Sequence, residues 1–474
     1  MRDAEHVMPQ TTIRCSNVTH VFALASLLQA GCAHTSSVAS GTDGEAPPPH
    51  LRRAAAGEPL AHVDQAPDPT ADARVSLGGM LAYADQHAPV LAVARSSRAR
   101  AEAARAKAAP LVPGNPELSV AAGPRMANGE TSVDLDVSLL QQIEIAGERG
   151  LRFEAADRMR ELTDAEVEQV RWFVHCDVHA AFHEALMQEA RARLADRVLA
   201  FQLEVLRVVE RQIASGEVAP LALRLAQAEV AQAKQVLVAA QQGFRASRIR
   251  LATLSGWTGA TPPMPAGSVD APQPPPPQGQ LLELSRQRVP TLRAYAARVR
   301  EAQARAAVAD RETWTKPSIG VQYRREGSGA PEGATDIVMG VVSLPIPSFQ
   351  TNQGERAQAR ADALVAAAEL EAAERTLAGE IAQAHSEVVA AAERANAYAS
   401  EIVPRFEENL TMLKRSFELG EIDILALSTG RERFLQIQSA ALAAQLDYFV
   451  ALAALERVVG IDLWHDDHHE ESSP

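Results

Sequence analysis

The chain has 474 residues and a formal net charge of −14 at pH 7, which gives no case for a nucleic-acid partner. Aromatic residues make up only 4% of the sequence, and alanine is common. This composition favours long, closely packed helices over a thick globular core.

The N-terminal segment has the features of an export signal followed by a tether. Residues 21–28 are almost wholly apolar and are followed by Ala-Gly-Cys at 30–32, which predicts a secretory signal peptide over residues 1–31. Small residues before a cysteine also resemble a bacterial lipobox, so Cys32 is the predicted lipidation site; the alternative is a plain signal peptide cleaved nearby. Residues 32–74 are rich in Ala, Gly, Pro and Ser, which predicts a disordered, lipid-anchored tether.

The rest of the sequence repeats itself. Matching residues recur at an offset of 201 to 204 positions: Pro89 and Pro290, Pro116 and Pro317, Gly216 and Gly420. A near-constant offset over this length predicts a duplication. We assign the first repeat to residues 75–260 and the second to 280–460, joined by a Pro-rich linker at 261–279. An acidic, His-containing tail follows at 461–474.

Each half is predicted to contain, in order, a helix, two segments in which apolar and polar residues alternate, a long helix, a glycine turn and a returning helix. No apolar run reaches the roughly 18 residues that a membrane-spanning helix needs, so the alternating segments are the membrane candidates. In 131–141, apolar residues alternate with Asp134 and Asp136, which is typical of a barrel strand with lipid outside and water inside. These carboxylates are therefore the predicted lumen residues; a half-buried strand of a soluble sheet is the alternative. The other predicted strands are 117–122, 318–324 and 335–343.

The helices that follow the strands are unusually long. They are predicted at 148–214 and 355–418, and each spans roughly 100 Å. The returning helices are predicted at 218–255 and 422–459. Each turn between them contains an Arg, four residues and Gly-Glu. Gly is favoured where a helix ends in a left-handed turn, so both turns are predicted to be hairpin tips.

Four strands per chain predict an assembly of several chains. The smallest membrane barrels need about eight strands, and an open sheet edge in lipid leaves backbone groups unpaired. Two chains would give eight strands with a filled interior, whereas three would give twelve and a lumen; Asp134 and Asp136 favour the trimer. The predicted fold is mainly α with a small β part: a duplicated strand-strand-helix-helix repeat that forms a trimeric 12-stranded membrane β-barrel.

These features resemble the TolC-like outer membrane efflux proteins, or outer membrane factors, over residues 75–460. The strand-to-helix junctions at 141–149 and 344–355 are similar to those of the lipid-anchored, CzcC-like heavy-metal branch. The resemblance implies a homotrimer in the outer membrane of a Gram-negative bacterium, lipid-anchored and extending into the periplasm. It implies that the trimeric 12-stranded membrane β-barrel is continued by a long α-helical periplasmic tunnel. It also implies two partners, a periplasmic adaptor (membrane fusion) protein and an RND-type inner-membrane pump.

The resemblance also assigns a role to the hairpin tips. The implied adaptor-contact residues are Arg211, Gly216, Arg415 and Gly420, although helix termination alone would explain the glycines. Relatives often carry aspartates six and nine residues after the tip glycine, whereas this chain has Ala426 and Thr429 in its second half. Glu421 and Asp423 are instead the predicted carboxylates of the periplasmic entrance; the alternative is an ordinary solvated helix start.

No pattern for catalysis or a cofactor is found, since HExxH, a Gly-rich phosphate loop and a Ser-His-Asp arrangement are all missing from the sequence. An enzyme is therefore not expected, and no cofactor is predicted. His175, His179 and His183 share a helix face, where we expect them to line the helical wall or face solvent rather than bind a metal. Cys176 is predicted to be a buried small side chain.

The predicted function is a passive exit duct in a tripartite efflux system that exports metal cations. The alternatives are the outer-membrane channel of a drug-efflux or type I secretion system, and a lipid-anchored periplasmic coiled-coil scaffold. The scaffold would have no membrane-inserted strands.

Overall fold

The structure is a computed structural model. It describes residues 74–127, 130–216, 219–267, 271–328 and 333–463. The predicted signal peptide, the lipidation site Cys32, the tether up to residue 73 and the tail from residue 464 lie outside the described residues.

The first half consists of short helices, a strand pair and one long helical hairpin. Its elements are β1 (Arg74–Val75), α1 (Leu77–His87), α2 (Pro89–Ser96), α3 (Arg98–Ala108), β2 (Glu117–Ala127), β3 (Glu130–Gln142), α4 (Glu148–Ala214) and α5 (Pro220–Ser255). Helix α4 has the predicted bounds and contains 67 residues, which corresponds to a length of roughly 100 Å. The mostly helical character that the composition predicts is therefore confirmed.

The second half follows the same order. Its elements are β4 (Met264–Pro265), α6 (Gln278–Arg288), α7 (Pro290–Arg311), β5 (Ser318–Ser328), β6 (Thr335–Ser343), α8 (Gln353–Ala397), a π-helical turn (Tyr398–Ile402), α9 (Val403–Glu418) and α10 (Ile424–Val459). No helix of the described residues has both the length and the hydrophobicity needed to cross a membrane.

The second long helix is helical throughout Gln353–Glu418, close to the predicted 355–418, but it contains a π-helical turn. The π-helical turn lies between α8 and α9, and Pro404 is the second residue after it. Proline has no N–H to donate to the carbonyl four residues earlier, and its ring clashes with that carbonyl, so the helix widens locally. Helix α4 contains no proline and stays regular.

The four longer strands form one antiparallel sheet in the order β2-β3-β5-β6. Strand β2 extends to Ala127, beyond the predicted end at residue 122. Pro124 interrupts the sequence pattern there, but β2 is an edge strand in the chain, and an edge position tolerates a residue that cannot donate to a neighbour. A second, short sheet pairs β1 with β4 in parallel.

Both returning helices end on the same kind of joint. Gly256 and Gly460 have φ values of 72° and 75°, the left-handed conformation that glycine adopts without strain. A Cβ on Gly256 would lie 2.1 Å from the carbonyl oxygen of His87, and one on Gly460 would lie 2.7 Å from the Cα of Val289. Each helix end therefore packs directly on the backbone before Pro89 or Pro290, the prolines that the repeat pairs.

Helix packing buries three apolar clusters among the described residues. One surrounds Phe182 between α1, α4 and α5, one surrounds Phe449 between α8 and α10, and one lies close to the hairpin tips around Val209. In α8 the buried residues recur at the three- and four-residue spacing of a coiled coil: Leu377, Ile381, Ala384, Val388, Ala391 and Ala395.

The described part of the Pro-rich linker is held against the second half by side chains. Asn396 donates to the carbonyl of Pro272 at 3.2 Å, and the Tyr448 hydroxyl donates to the carbonyl of Gln273 at 3.0 Å. The His385 ring nitrogen Nε2 lies 3.1 Å from the carbonyl oxygen of Pro276. Side chains of α8 and α10 thus provide hydrogen-bond partners for backbone carbonyls of this proline-rich segment.

Candidate functional site: the sheet and the hairpin tips

The sheet has one apolar face. Strand pairing aligns Val137 with Val120 and Tyr323, and Leu139 with Leu118 and Val321. Side chains that point to this face are exposed in the single chain: Leu118, Val120, Val133, Leu139, Ile319, Val321, Val338 and Val342. An apolar patch that crosses all four strands is larger than a soluble monomer usually exposes, and it marks a surface with an apolar neighbour.

The opposite face is polar, and Asp136 lies near its centre. Arg324 donates from Nε to Asp136 Oδ2 at 3.0 Å, and Gln322 donates from Nε2 to the same oxygen at 2.6 Å. All three groups are partly exposed, so the ion pair contributes little to stability. The ion pair and the hydrogen bond instead hold the Asp136 carboxylate in a defined position on the polar face.

Asp134 lies on the same face and belongs to a longer row of charges. Its Oδ1 accepts a hydrogen bond from the backbone N–H of Gly327 at 2.8 Å, and Arg125 lies 3.7 Å away. Arg125 also pairs with Glu326 at 3.2 Å. The polar face therefore combines three carboxylates with two guanidinium groups, counting Asp136 and Arg324, rather than presenting two isolated aspartates.

Sequence reasoning missed both arginines as partners of the aspartates. The predicted strand ended at residue 122, so Arg125 had no register, and Arg324 was taken as the last residue of its strand. A longer period-two reading through Pro124 would have placed Arg125 on the polar face.

Strand β6 contributes apolar side chains to both faces. Ile337 and Met339 align with Arg324 and Gln322 and so lie on the polar face, whereas Val338 and Val342 lie on the apolar one. This explains why the sequence of β6 alternates poorly.

The two hairpin tips have the same geometry. Gly216 and Gly420 both have φ of 76°, and each donates its N–H to the carbonyl three residues earlier at 3.0 Å. A Cβ on either glycine would meet no atom within 4 Å, so the turn needs glycine for its conformation and not for space. The backbone carbonyls of Arg211 and Arg415 each accept a hydrogen bond at 3.1 Å within the last helical turn, while both side chains are exposed.

The two predicted entrance carboxylates have local partners. Asp423 Oδ1 accepts the backbone N–H of Ala426 at 2.9 Å and is therefore the N-cap of α10. Glu421 accepts the Ser416 hydroxyl at 3.0 Å, which ties the turn to the end of α9. Both side chains stabilise the tip, and this role does not depend on a partner.

Exposed leucines surround both tips, which the sequence reasoning did not consider. They are Leu221 and Leu225 at the start of α5, and Leu419 and Leu425 on either side of Gly420. These leucines lie next to the exposed Arg211 and Arg415, and at the second tip also next to Glu421 and Asp423, so the surface is apolar with charges of both signs. Aromatic and Arg anchors with apolar neighbours are typical of protein interfaces.

A cation–aromatic contact joins the two hairpins behind the tips. The Arg431 guanidinium on α10 lies 4.8 Å from the ring centre of Phe201 on α4, and Lys414 on α9 lies 5.9 Å from the same ring. Arg431 also donates to the carbonyl of Val198 at 3.3 Å. Burial lowers the pKa of Arg431 to about 10, which leaves it charged at neutral pH.

The histidines of α4 lie in the contact between the two halves. His179 Nδ1 is 2.8 Å from Glu456 Oε2, and both side chains are buried. His183 stacks on Phe449 with ring centres 4.0 Å apart, and burial lowers its pKa to about 3. The expectation that these histidines line the helical wall or face solvent is therefore wrong for His179 and His183, because helix packing encloses them.

Cys176 is buried, as predicted, and burial raises the pKa of its thiol. No group of three or more His, Cys, Asp or Glu side chains within the described residues is arranged to hold a metal ion. The His-containing tail from residue 464 lies outside them.

Comparison with known proteins gives consistent matches. The family model described as outer membrane efflux protein matches residues 83–257 and 281–461. The chain is 24% identical over 348 residues to the cobalt-zinc-cadmium resistance protein CzcC of Cupriavidus metallidurans, which covers 73% of this chain and 81% of the relative.

Two solved structures show the same fold. The first is CusC, with a TM-score of 0.63, 15% identity, and coverage of 81% of this chain and 92% of that chain. The second is the outer membrane protein VceC of Vibrio cholerae, with a TM-score of 0.62, 17% identity, and coverage of 81% of this chain and 96% of that chain.

Proposed function

The chain belongs to the outer membrane efflux protein family, and from this premise we propose that it is the exit duct of a tripartite efflux system. The observation that carries the proposal is the four-stranded sheet with an exposed apolar face and a charged opposite face. Such a sheet suits a position between lipid and a water-filled lumen.

The proposed assembly is a homotrimer with a 12-stranded barrel. Strands β2 and β6 are the two edges of the sheet, and unpaired edge groups in lipid cost several kcal/mol each. Pairing β6 of one copy with β2 of the next removes every edge if the ring closes. Twelve strands leave an interior wide enough for the charged face to stay hydrated.

The helices place the tips far from the membrane. Helix α4 begins six residues after β3 ends and spans roughly 100 Å to the first tip. In the proposed assembly, this length lies in the periplasm, and the lipid on Cys32 adds a second attachment to the outer membrane. Arg211, Gly216, Arg415 and Gly420, with their neighbouring leucines, form the surface for a periplasmic adaptor. The adaptor connects the duct to an RND-type inner-membrane pump.

The proposed cargo is a divalent metal cation. The support is the likeness to CzcC, which is named for resistance to cobalt, zinc and cadmium. The duct supplies a path and no driving force, so the energised partner determines when cargo moves. Glu421 and Asp423 would form a ring of carboxylates at the periplasmic mouth, where negative charge favours cations.

Deletion of the gene from its host tests the cargo. We expect the deletion strain to become sensitive to zinc, cobalt or cadmium, and the intact gene to restore growth. The Gly420→Asp variant, which places a side chain in a left-handed turn at the adaptor surface, should not restore growth although trimers still form. Sensitivity to organic drugs alone would contradict metal export and favour a drug-efflux channel.

A further inference from the structure

An open cleft of about 370 Å³ lies where the sheet meets the helices, next to the edge strand β6. Its walls are residues 312–315, between α7 and β5, and residues 345–352, between β6 and α8. The side chains of Trp314, Ile346 and Phe349 are 59%, 82% and 88% exposed. Large apolar side chains that are this exposed on both walls of one cleft indicate a binding surface.

The sheet order places a segment of a second copy at this cleft. Strand β6 ends at Ser343 and β2 begins at Glu117, and both residues lie at the same end of the antiparallel sheet. If β2 of a second copy continues the sheet beside β6, adjacent strands keep alternating in direction. Residues 109–116 of that copy, which lead into β2, then lie beside the connector that forms the cleft.

The chain already contains one contact of this kind. Strands β3 and β5 come from different halves and are neighbours, as β6 and β2 of two copies would be. There the N–H of Ile143 donates to the carbonyl of Pro317 at 2.9 Å. The residues at the same repeat positions, 201 residues away, are Leu344 and Pro116. The repeat therefore predicts a hydrogen bond from Leu344 N–H to the Pro116 carbonyl of the next copy.

The two connectors differ in length, and the difference creates the cleft. The connector between β3 and α4 is 143–147, whereas the connector between β6 and α8 is 344–352, four residues longer. The longer one carries Ile346 and Phe349, which extend away from the chain. The cleft thus lies beside the longer of the two connectors, next to the free edge of β6.

The entering segment is suited to fill it. Leu111 is 77% exposed and lies between Pro110 and Pro113, with Pro116 further on. Prolines restrict the backbone to extended conformations, so the leucine is presented with little further loss of conformational entropy on binding.

We propose that Leu111 of one copy occupies the cleft formed by Trp314, Ile346 and Phe349 of the next copy. The inference rests on the proposed trimeric duct and identifies a side-chain contact that holds it together below the barrel. Cleft and occupant lie on different surfaces of the chain, so the contact is head-to-tail, and a closed ring satisfies every copy.

Photocrosslinking of the full-length protein in the outer membrane tests this contact. With p-benzoylphenylalanine in place of Phe349, irradiation should give a product of two chains, and peptide mapping should locate the bond within residues 109–116. The matched control carries the same crosslinker in place of Leu425, an exposed leucine at the tip, and should give no bond to that segment.

A second substitution in the crosslinking variant sharpens the test. Leu111→Asp should lower the two-chain product by about tenfold or more, because a carboxylate is strongly disfavoured in an apolar cleft; Leu111→Met should retain it. Bonds from position 349 to lipid, to another protein or to a different segment would overturn the proposal. Native mass separates the two claims: a trimer without the bond to 109–116 rejects the cleft contact alone, whereas a monomer rejects the trimeric duct as well.

Discussion

At the scale of single residues, the charged face of the sheet is the feature with a direct functional consequence. Asp136 is held by Arg324 and Gln322, while Asp336 lies on the apolar face and accepts the Tyr323 hydroxyl at 2.8 Å. The two carboxylates lie on strands β3 and β6 of one sheet and point to opposite faces. Substituting each of the two carboxylates in turn therefore tests which face of the sheet borders the lumen.

Asp136→Asn should reduce the cation preference of the channel, because it removes a carboxylate from the face that is proposed to border water. Asp336→Asn should leave the preference unchanged. The measurement is the reversal potential under a potassium chloride gradient in planar bilayers. A shift caused by Asp336→Asn and not by Asp136→Asn would assign the faces the other way round.

His183 should make the protein less stable in mild acid. Burial lowers its folded pKa to about 3, whereas the unfolded ring titrates near 6.5. Below about pH 6.5 the His183 ring is therefore protonated in the unfolded state but still neutral in the folded state. Because the unfolded state binds more protons, the free energy of unfolding decreases as the pH falls.

Between pH 7 and pH 5 the loss through this site is about 2 kcal/mol. The measurement is the apparent melting temperature, followed by helical circular dichroism, and His183→Phe should flatten its dependence on pH. An unchanged slope in this variant would place the titrating group elsewhere. His87→Phe is the control, since the His87 ring stacks on Tyr83 in a different contact, with ring centres 4.2 Å apart.

Sequence patterns placed some of these residues correctly and missed their partners. Period two puts Asp134 and Asp136 on one face, and a positive φ is expected of Gly216 and Gly420, because both signals are local. The pairing of Asp136 with Arg324, and of His179 with Glu456, joins residues 188 and 277 positions apart. Such pairs depend on which strands and helices become neighbours, which a single sequence does not encode locally.

At the scale of elements, the two hairpins behave as a joined pair near their tips. Phe201 lies against both Arg431 and Lys414, and the surrounding cluster contains Val205 and Phe417. The contact is made by α4 on one side and by α9 and α10 on the other. It therefore limits how far the two tips of one chain can separate.

Phe201→Ala should loosen this contact by about 1–3 kcal/mol, because it removes a large apolar side chain and two cation contacts. We expect a broader distance distribution between spin labels at Leu221 and Leu419, one on each tip. Phe173→Ala is the control, since Phe173 also lies on α4 and faces an arginine, Arg457, at 4.8 Å. An equal broadening in both variants would show that α4 as a whole, and not this contact, restrains the tips.

The ends of helices could be predicted where a single glycine or proline determines them. The ends of α5 and α10 at Gly256 and Gly460 agree with the predicted bounds. The π-helical turn at Tyr398–Ile402 was not predicted, because the apolar period continues through Pro404 and gives no sign that the helix widens there. Helix geometry at a proline depends on whether neighbouring turns can widen. The spacing of apolar residues carries no information on this.

At the scale of the whole molecule, a single chain leaves several of its surfaces without a partner. Its sheet has two edges, its apolar face is uncovered, and the cleft at Trp314 and Phe349 is open. In the proposed assembly, further copies would pair both sheet edges and fill the cleft, and lipid would cover the apolar face. A lipid-anchored periplasmic scaffold would leave the apolar face of the sheet without a neighbour.

Single-channel recording tests the central claim most directly. The purified full-length protein is added to a planar lipid bilayer, and the current is recorded at constant voltage. The proposed duct predicts stepwise increases in conductance, each from one inserted trimer, because a lumen lined by charged side chains admits ions. A protein that associates with the bilayer and gives no conductance steps would contradict the exit duct and favour the scaffold.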